Sequence, residues 1–255
     1  MEASPNPGPL RGPAHATVFE AGVKAGMRVL DVGSGTGDVA FLAGELVGDA
    51  GEVIGADHVA TAVGVATQRA MAKGMRNVSF RVGDPSELEF GRPFDAVVGR
   101  YVLVLQAAAA AMVRKLAKHL SPGGVIVFHE PDWSCVRSFP PAPTYDACCR
   151  WAVEAFRRAG TDQNGTITLY VRSWTPICRR RRCACSFIGF GAACADWLTV
   201  AADLERTLLP KIEQFGLATE AEVDVATLAQ RLRDEVTASS SLIVGRSEIA
   251  AWSRL

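Results

Sequence analysis

Val29-Leu30-Asp31-Val32-Gly33-Ser34-Gly35-Thr36-Gly37-Asp38 is the stretch that decides the fold of this chain. Met27 to Val32 reads as an apolar strand carrying one acidic residue. The glycines at 33, 35 and 37 read as a turn, and a helix is expected from about Asp38. Glycine has no Cβ, so such a turn can be tight and its backbone can approach a ligand. Amides at the start of the following helix point outward as donors. At the carboxyl end of a strand, this combination makes a nucleotide-type pocket. A second strand, Glu52 to Ala56, leads to Asp57, twenty residues after Gly37. An acidic residue reaches ribose hydroxyls at about that separation in nucleotide-binding α/β folds, and one carboxylate can accept from both.

The same rhythm continues outward. Val78 to Val82 reads as a third strand ending in Gly83-Asp84, with Pro85 fixing the turn that follows. Pro93 to Arg100 reads as a fourth strand, and its Phe, Val and Ala suit burial on both faces. Leu120-Ser121-Pro122-Gly123-Gly124 ends a helix and turns into a fifth strand through Phe128. Helices are expected at Asp38 to Leu46, Ala60 to Lys73 and Gln106 to His119, where Met112, Leu116 and Leu120 form a stripe of core-packing type. Strands alternating with helices imply a parallel sheet covered on both faces.

A dinucleotide-binding turn of the G-x-G-x-x-G type has a third glycine where this chain has Asp38, which counts against an NAD-dependent oxidoreductase. The pattern D-x-G-x-G-x-G resembles motif I of the class I S-adenosylmethionine methyltransferases, and the L-x-P-G-G-x-x-x-F form resembles its usual companion. The resemblance runs from about Val23 to Trp133, half of the chain. It implies an α/β Rossmann-like fold: a seven-stranded, mainly parallel sheet with helices on both faces and a C-terminal helical cap insertion. It also implies S-adenosylmethionine as cofactor. That molecule carries an ammonium group and a sulfonium, so a carboxylate at Asp31 suits it where a pyrophosphate would be repelled. Carried onto this sequence, the cofactor-binding residues are Asp31, Gly33, Ser34, Gly35, Thr36, Gly37, Asp57, His58, Gly83, Asp84, Pro85, Arg100 and Tyr101. Asp84 would sit by the adenine amino group, His58 would flank the adenine, and Arg100 would line the methionine end.

Composition agrees with a small-molecule enzyme. The 255 residues carry 27 basic and 27 acidic side chains, so there is no electrostatic footprint for nucleic acid or membrane. At 49% hydrophobic the chain can bury a sizeable core, yet it has no apolar stretch long enough to span a bilayer. Residues 1–21 read as a loose tail; Met1 to Pro13 holds four prolines and no secretory signal. Seven cysteines without a C-x-x-C pair read as reduced thiols in a cytoplasmic protein, with no zinc site. A homodimer is compatible with all of this.

Residues 22–135 are assigned to the cofactor-binding core and 136–255 to the rest of the same domain. Beyond the core, Thr144 to Ala159 and Asp196 to Phe215 read as helices. Thr219-Glu220-Ala221-Glu222 is a capping-box signal, and a further helix to about Val236 carries Leu228, Leu232 and Val236. Asp196 to Val236 is assigned to the substrate cap. The last strand is either Glu248 to Leu255 or Ser241 to Val244. One segment, Asn164 to Gly191 with its Arg179 to Arg182 run, keeps neither helical nor strand periodicity. A solvated loop accounts for it, and so does a basic patch or a local reading-frame shift that resequencing the gene would reveal.

Methyl transfer is a direct displacement, so the enzyme's main tasks are to align the nucleophile and exclude water. The residues beyond strands four and five are therefore the ones to watch: Arg100, Tyr101, His129, Glu130, Asp132 and Trp133. Glu130 is expected to contact substrate or cofactor, and His129 is a candidate base with a near-neutral pKa; a core histidine is its other reading. Asp132 also reads as the start of a turn, and Trp133 as either a packing residue or a pocket wall. The expected reaction is S-adenosylmethionine-dependent methylation of a small molecule at oxygen or nitrogen, as in the quinone-biosynthesis-like branch. The alternative is a catalytically impaired S-adenosylmethionine-binding protein.

Overall fold

In the computed structural model, residues 21–106, 108–161, 182–187, 190–191 and 195–255 are described. The strands are β1 (Arg28–Val32), β2 (Glu52–Asp57), β3 (Val78–Val82), β4 (Phe94–Arg100) and β5 (Leu120–Asp132), with the helices α1 (Asp38–Val47) after β1, α2 (Ala60–Ala72) after β2 and α3 (Ala109–Ala117) after β4. The chain goes on through β6 (Arg137–Phe139), α4 (Pro143–Arg158), β7 (Arg182–Phe187), β8 (Phe190–Gly191), α5 (Ala195–Gln214), α6 (Glu220–Val223), α7 (Leu228–Ser239), β9 (Leu242–Val244) and β10 (Ser247–Arg254).

The main sheet has the order β3-β2-β1-β4-β5-β10-β7. From β1 to β5 the neighbours pair in parallel, with Val29 opposite Val53 on one side and opposite Ala96 on the other. The order reverses between β1 and β4, and that switch point opens a crevice at the carboxyl ends of the strands. β10 runs the other way. Gly123 N donates to Leu255 O at 2.8 Å and Leu255 N to Gly124 O at 3.0 Å, which sets the end of β10 beside the start of β5.

Side-chain alternation builds a core on each face. Val29, Val98, Val125 and Val127 pack with Ala40, Phe41 and Val47 of α1. Their strand neighbours Leu30, Val97, Ile126 and Phe128 pack with Val113 and Leu116 of α3. Because successive residues point to opposite faces and both faces are covered, these strands read as unbroken apolar runs.

The described residues fall into two compact units. The first takes residues up to 130 and returns for 182–184 and 249–255; the second takes 131–161 and the described residues of 185–248. In the second unit Tyr145, Cys148, Ala152, Trp197, Leu198, Leu228, Leu232 and Val236 are buried between α4, α5 and α7. There β9 pairs antiparallel with β6 and with β8. Glu235 of α7 caps α4, accepting from Thr144 N at 3.0 Å and Tyr145 N at 3.3 Å, because the N-cap residue Ala142 has no side-chain acceptor. The Thr219–Glu222 capping box is formed.

Three expectations change. The helix placed at Gln106 to His119 covers Ala109–Ala117 and is preceded by a 3₁₀ turn at Leu103–Leu105. Both candidates for the last strand are strands: Leu242–Val244 in the small sheet and Ser247–Arg254 in the main one. Within the aperiodic Asn164 to Gly191 segment, Arg182–Phe187 forms a strand of the main sheet. Ladder pairing is made by the backbone, so a terminal strand needs no side-chain periodicity. Residues 1–20 and the rest of the segment, including Arg179 to Arg181, lie outside the described residues. Among the described residues no helix is long and apolar enough to cross a membrane, and no cluster of metal-ligating side chains occurs.

Candidate functional site

The glycine turn stands at the end of β1, in the crevice. Gly33, Gly35 and Gly37 have φ of +64°, +49° and +93°, a region that side chains other than glycine rarely adopt. Two of them are also sterically required. A Cβ on Gly33 would meet Val102 Cγ2 at 2.7 Å, and one on Gly37 would meet the Phe80 and Phe41 rings at 2.7 and 2.9 Å. The turn is tied down by its own amides. Gly33 N and Ser34 N donate to Ala56 O at 2.9 and 3.2 Å, and Gly37 N donates to Ser34 O at 2.8 Å. Those donors are therefore structural, and Thr36 continues the turn into α1.

Asp57, at the end of β2, completes this scaffold. Its Oδ2 accepts from Gly35 N at 2.9 Å and its Oδ1 from Val59 N at 2.8 Å. A carboxylate oxygen has two lone-pair sites, so each keeps one acceptor position. Asp31 is 1% exposed, and its Oδ2 has no hydrogen-bond partner among the described residues. Burial raises its pKa well above the usual carboxylate range; a hydrogen bond from the Ala40 amide works against this, and the nearby Asp57 and Asp38 add to the rise. An under-satisfied carboxyl beside two further acids suits a ligand that brings positive charge. Asp38, where a dinucleotide fold would have glycine, pairs with Arg69 at 2.8 Å.

Next to the turn is a cavity of about 520 Å³, in the size range of small-molecule sites. Of the residues expected from the sequence, Gly33, Asp57, His58, Asp84, Pro85 and Tyr101 line it. Asp84 Oδ1 accepts from Ser86 N at 2.8 Å, which shapes the turn after β3. The His58 side chain is 83% exposed, with Nδ1 3.7 Å from Asp57 Oδ1. Gly83 (φ +144°) precedes Asp84, and Leu88 packs where its Cβ would be. Asp31, Ser34, Gly35, Thr36, Gly37, Gly83 and Arg100 do not line the cavity. Arg100 donates from Nη2 to Tyr101 Oη at 2.8 Å, with its guanidinium 4.4 Å from that ring's centre.

Glu130 sits differently from expectation, and both candidate catalytic residues are buried. Glu130 is fully buried at 0% exposure and does not line the cavity. Its Oε1 accepts from Val102 N and Leu103 N at 3.0 Å each, and its Oε2 from Val104 N at 3.3 Å. The physical reason is that a 3₁₀ turn starting at Leu103 leaves its first amides without intrahelical partners, and a carboxylate satisfies them. Glu130 is thus a positioning residue: it fixes the segment that contributes Val102 to the cavity wall. His129 is 4% exposed, with its ring 6.2 Å from that of Tyr101, and its backbone oxygen accepts from Tyr101 N at 2.9 Å. Tyr101 itself has φ +58°, an unusual conformation for a bulky residue and one that turns its side chain at the end of β4. Asp132 accepts from Ser134 N at 2.8 Å, so it starts a turn, and Trp133 packs at 5.8 Å from Trp197 in the second unit.

Sequence reading missed one wall entirely. Ala108, Ala111, Met112 and Lys115 line the cavity at positions i, i+3, i+4 and i+7, one face of α3 and its N-cap. The same helix buries Val113 and Leu116 on its other face. The signal was present as spacing, but only the apolar stripe was read from it.

Residues 23–168 match the family model described as a methyltransferase domain. Aklanonic acid methyltransferase DauC of Streptomyces sp. (strain C5) is 37% identical over 107 residues, covering 42% of this chain and 49% of that protein. The ubiquinone/menaquinone biosynthesis C-methyltransferase UbiE of Pseudomonas paraeruginosa is 35% identical over 136 residues, covering 51% of each. The chain thus spans about half the length of these curated relatives. Among solved structures, coclaurine N-methyltransferase bound to N-methylheliamine and SAH shares the fold. Its TM-score is 0.62 at 11% identity, over 99% of this chain and 75% of that one.

Proposed function

This chain belongs to the class I S-adenosylmethionine-dependent methyltransferases, and from that premise we propose that it transfers a methyl group from S-adenosylmethionine to a small-molecule acceptor. The observation that carries the reading is the junction of the glycine turn with Asp57, through the Gly35 N to Asp57 Oδ2 hydrogen bond, at the mouth of a cavity also lined by Asp84. The cofactor supplies an electrophilic methyl on a sulfonium. On this reading Asp57 accepts from the ribose hydroxyls, Asp84 from the adenine amino group, and the acidic Asp31 region favours the cationic methionine end. Arg100 braces Tyr101, and Glu130 holds Val102 to Val104 in place.

A displacement of this kind needs a base only where the nucleophile carries a proton that must leave. The proposed acceptor atom is oxygen or nitrogen. The relatives include a protein named as a C-methyltransferase, so carbon acceptors belong in the screen as well. Acceptor choice is set by features outside the fold that such enzymes share.

Calorimetric titration with S-adenosylmethionine and S-adenosylhomocysteine, with NAD as control, tests the cofactor. Micromolar binding that Asp57→Ala weakens at least tenfold is the expected result. Binding of NAD in preference, or no binding by a folded sample, would overturn the reading. Turnover in an acceptor screen separates an enzyme from a protein that only binds.

A further inference from the structure

We propose that Lys115 is a specificity-determining residue: its ammonium donates a hydrogen bond to ring nitrogen N1 of the cofactor's adenine, beside Asp84, so that the two side chains together read the adenine edge. The proposal rests on the cofactor assigned above and adds to it a residue from α3.

Adenine presents on that edge an amino group that donates and a ring nitrogen that accepts. A site that reads it needs an acceptor and a donor side by side. Asp84 supplies the acceptor, because Ser86 N occupies its Oδ1 and leaves Oδ2. The two backbone positions that follow Asp84 supply no donor: Pro85 has no N–H, and the Ser86 amide is already used by Asp84. Lys115 is the one lysine or arginine among the described residues lining the cavity.

Its position is held. Lys115 Nζ pairs with Glu87 Oε1, from the connection that follows Asp84, so the ammonium is anchored on the same side of the cavity. An ammonium has three donors, and the Glu87 pair takes one. The Lys115 pKa is raised, chiefly by Glu87 with a smaller contribution from Asp84, which places both acids in its electrostatic reach. Shape agrees with charge. Ala108 and Ala111, on the same helical face, leave room for a flat ring, while Val102, Leu105 and Met112 offer it apolar contact.

The test pairs one substitution with one atom of the ligand. Lys115→Met keeps the aliphatic stem and removes the donor, and the side chain is about half exposed (49%), so the variant is expected to fold. Binding of S-adenosylhomocysteine and of its 1-deaza analogue, in which N1 is replaced by C–H, is measured by calorimetry for the wild-type protein and the variant. The wild-type protein is expected to bind the 1-deaza analogue about tenfold more weakly, and Lys115→Met to lose about tenfold on S-adenosylhomocysteine and nothing further on the analogue. Equal affinity of variant and wild type for S-adenosylhomocysteine would overturn the proposal. So would an equal loss on both ligands, which marks a structural role. If folded wild-type protein binds no S-adenosylhomocysteine at all, the cofactor reading itself fails, and that result is distinct from the other two.

Discussion

Glu130 in the first unit and Glu205 in the second are both buried carboxyl groups, at 0% and 1% exposure, and they are satisfied in opposite ways. Glu130 takes three backbone amides from Val102 to Val104. Glu205, on α5, has an Oε2 without a hydrogen-bond partner among the described residues, and burial pushes its pKa up to about 8. One acid organises the wall of the candidate site; the other is tolerated in a helical core by staying protonated.

The largest effect should come from breaking the first arrangement. Glu130→Ala leaves three buried amides without acceptors, each an expensive omission, and a loss of about 3–5 kcal/mol is expected. Denaturant unfolding would measure it. Cofactor affinity should fall along with stability, since Val102 is fixed by the same carboxylate. A variant of unchanged midpoint would mean that the amides find other partners.

Features held by nearby backbone could be read from the residues alone, and those held from a distance could not. The turn from Gly33 to Gly37, the acids at 57 and 84 and the apolar strands are local signals: conformation, spacing and run length. They were legible because each is enforced by a constraint on the backbone nearby. The Thr219 capping box was legible for the same reason. Glu130 was read as facing the site because its partners lie 26 to 28 residues away, on a turn whose position depends on how β4 and β5 pair. Glu235 caps α4 from 91 residues away, and no local pattern announces that. Lys115 has no such local signal, because its neighbours on the cavity face, Ala108, Ala111 and Met112, are as apolar as the residues the helix buries.

Glu205 makes stability depend on pH. The Glu205 carboxyl has a folded pKa near 8 against an ordinary value of 4.5, so between those limits the folded protein holds a proton that the unfolded chain has released. Stability therefore falls as pH rises from about 4.5 to 8 and levels off above. The neighbouring Cys148 and Cys149 thiols, raised above their ordinary value mainly by burial, stay neutral over this range and add no slope to it. Glu205→Leu should flatten the slope and stabilise the protein by about 2–3 kcal/mol at pH 8, with little change at pH 5. Urea midpoints at the two pH values decide it; an unchanged slope would place the responsible group elsewhere.

Gly37→Ala comes third. It forces a Cβ against Phe80 and Phe41 at φ +93°, and a cost of about 2 kcal/mol is expected from the conformation and the overlap together. Here the effect should divide in a way the Glu205 variant cannot show: cofactor affinity and thermal stability should both decrease, because the turn serves both. Gly35→Ala is the informative partner, since a Cβ there meets nothing within 4 Å and leaves only the strain of φ +49°.

The smallest effect tests whether local signals matter as much in the second unit as in the first. Thr219 Oγ1 accepts from Glu222 N at 3.3 Å, and Glu222 Oε2 accepts from Thr219 N at 2.8 Å. The α6 helix they cap has four residues and both side chains are exposed, so Thr219→Ala should cost about 0.5 kcal/mol, the low end for a lost cap. The same box has a pH signature of the opposite sign to that of Glu205. Hydrogen bonds from Thr219 hold the Glu222 pKa below its ordinary value, so its contribution is present at neutral pH and is lost as pH falls through the folded pKa. Acid therefore weakens the cap while it relieves Glu205. Unfolding curves of the two variants across pH 3 to 8 should diverge in opposite directions from the wild type, and parallel curves would show that one of the two carboxyls has been assigned the wrong environment.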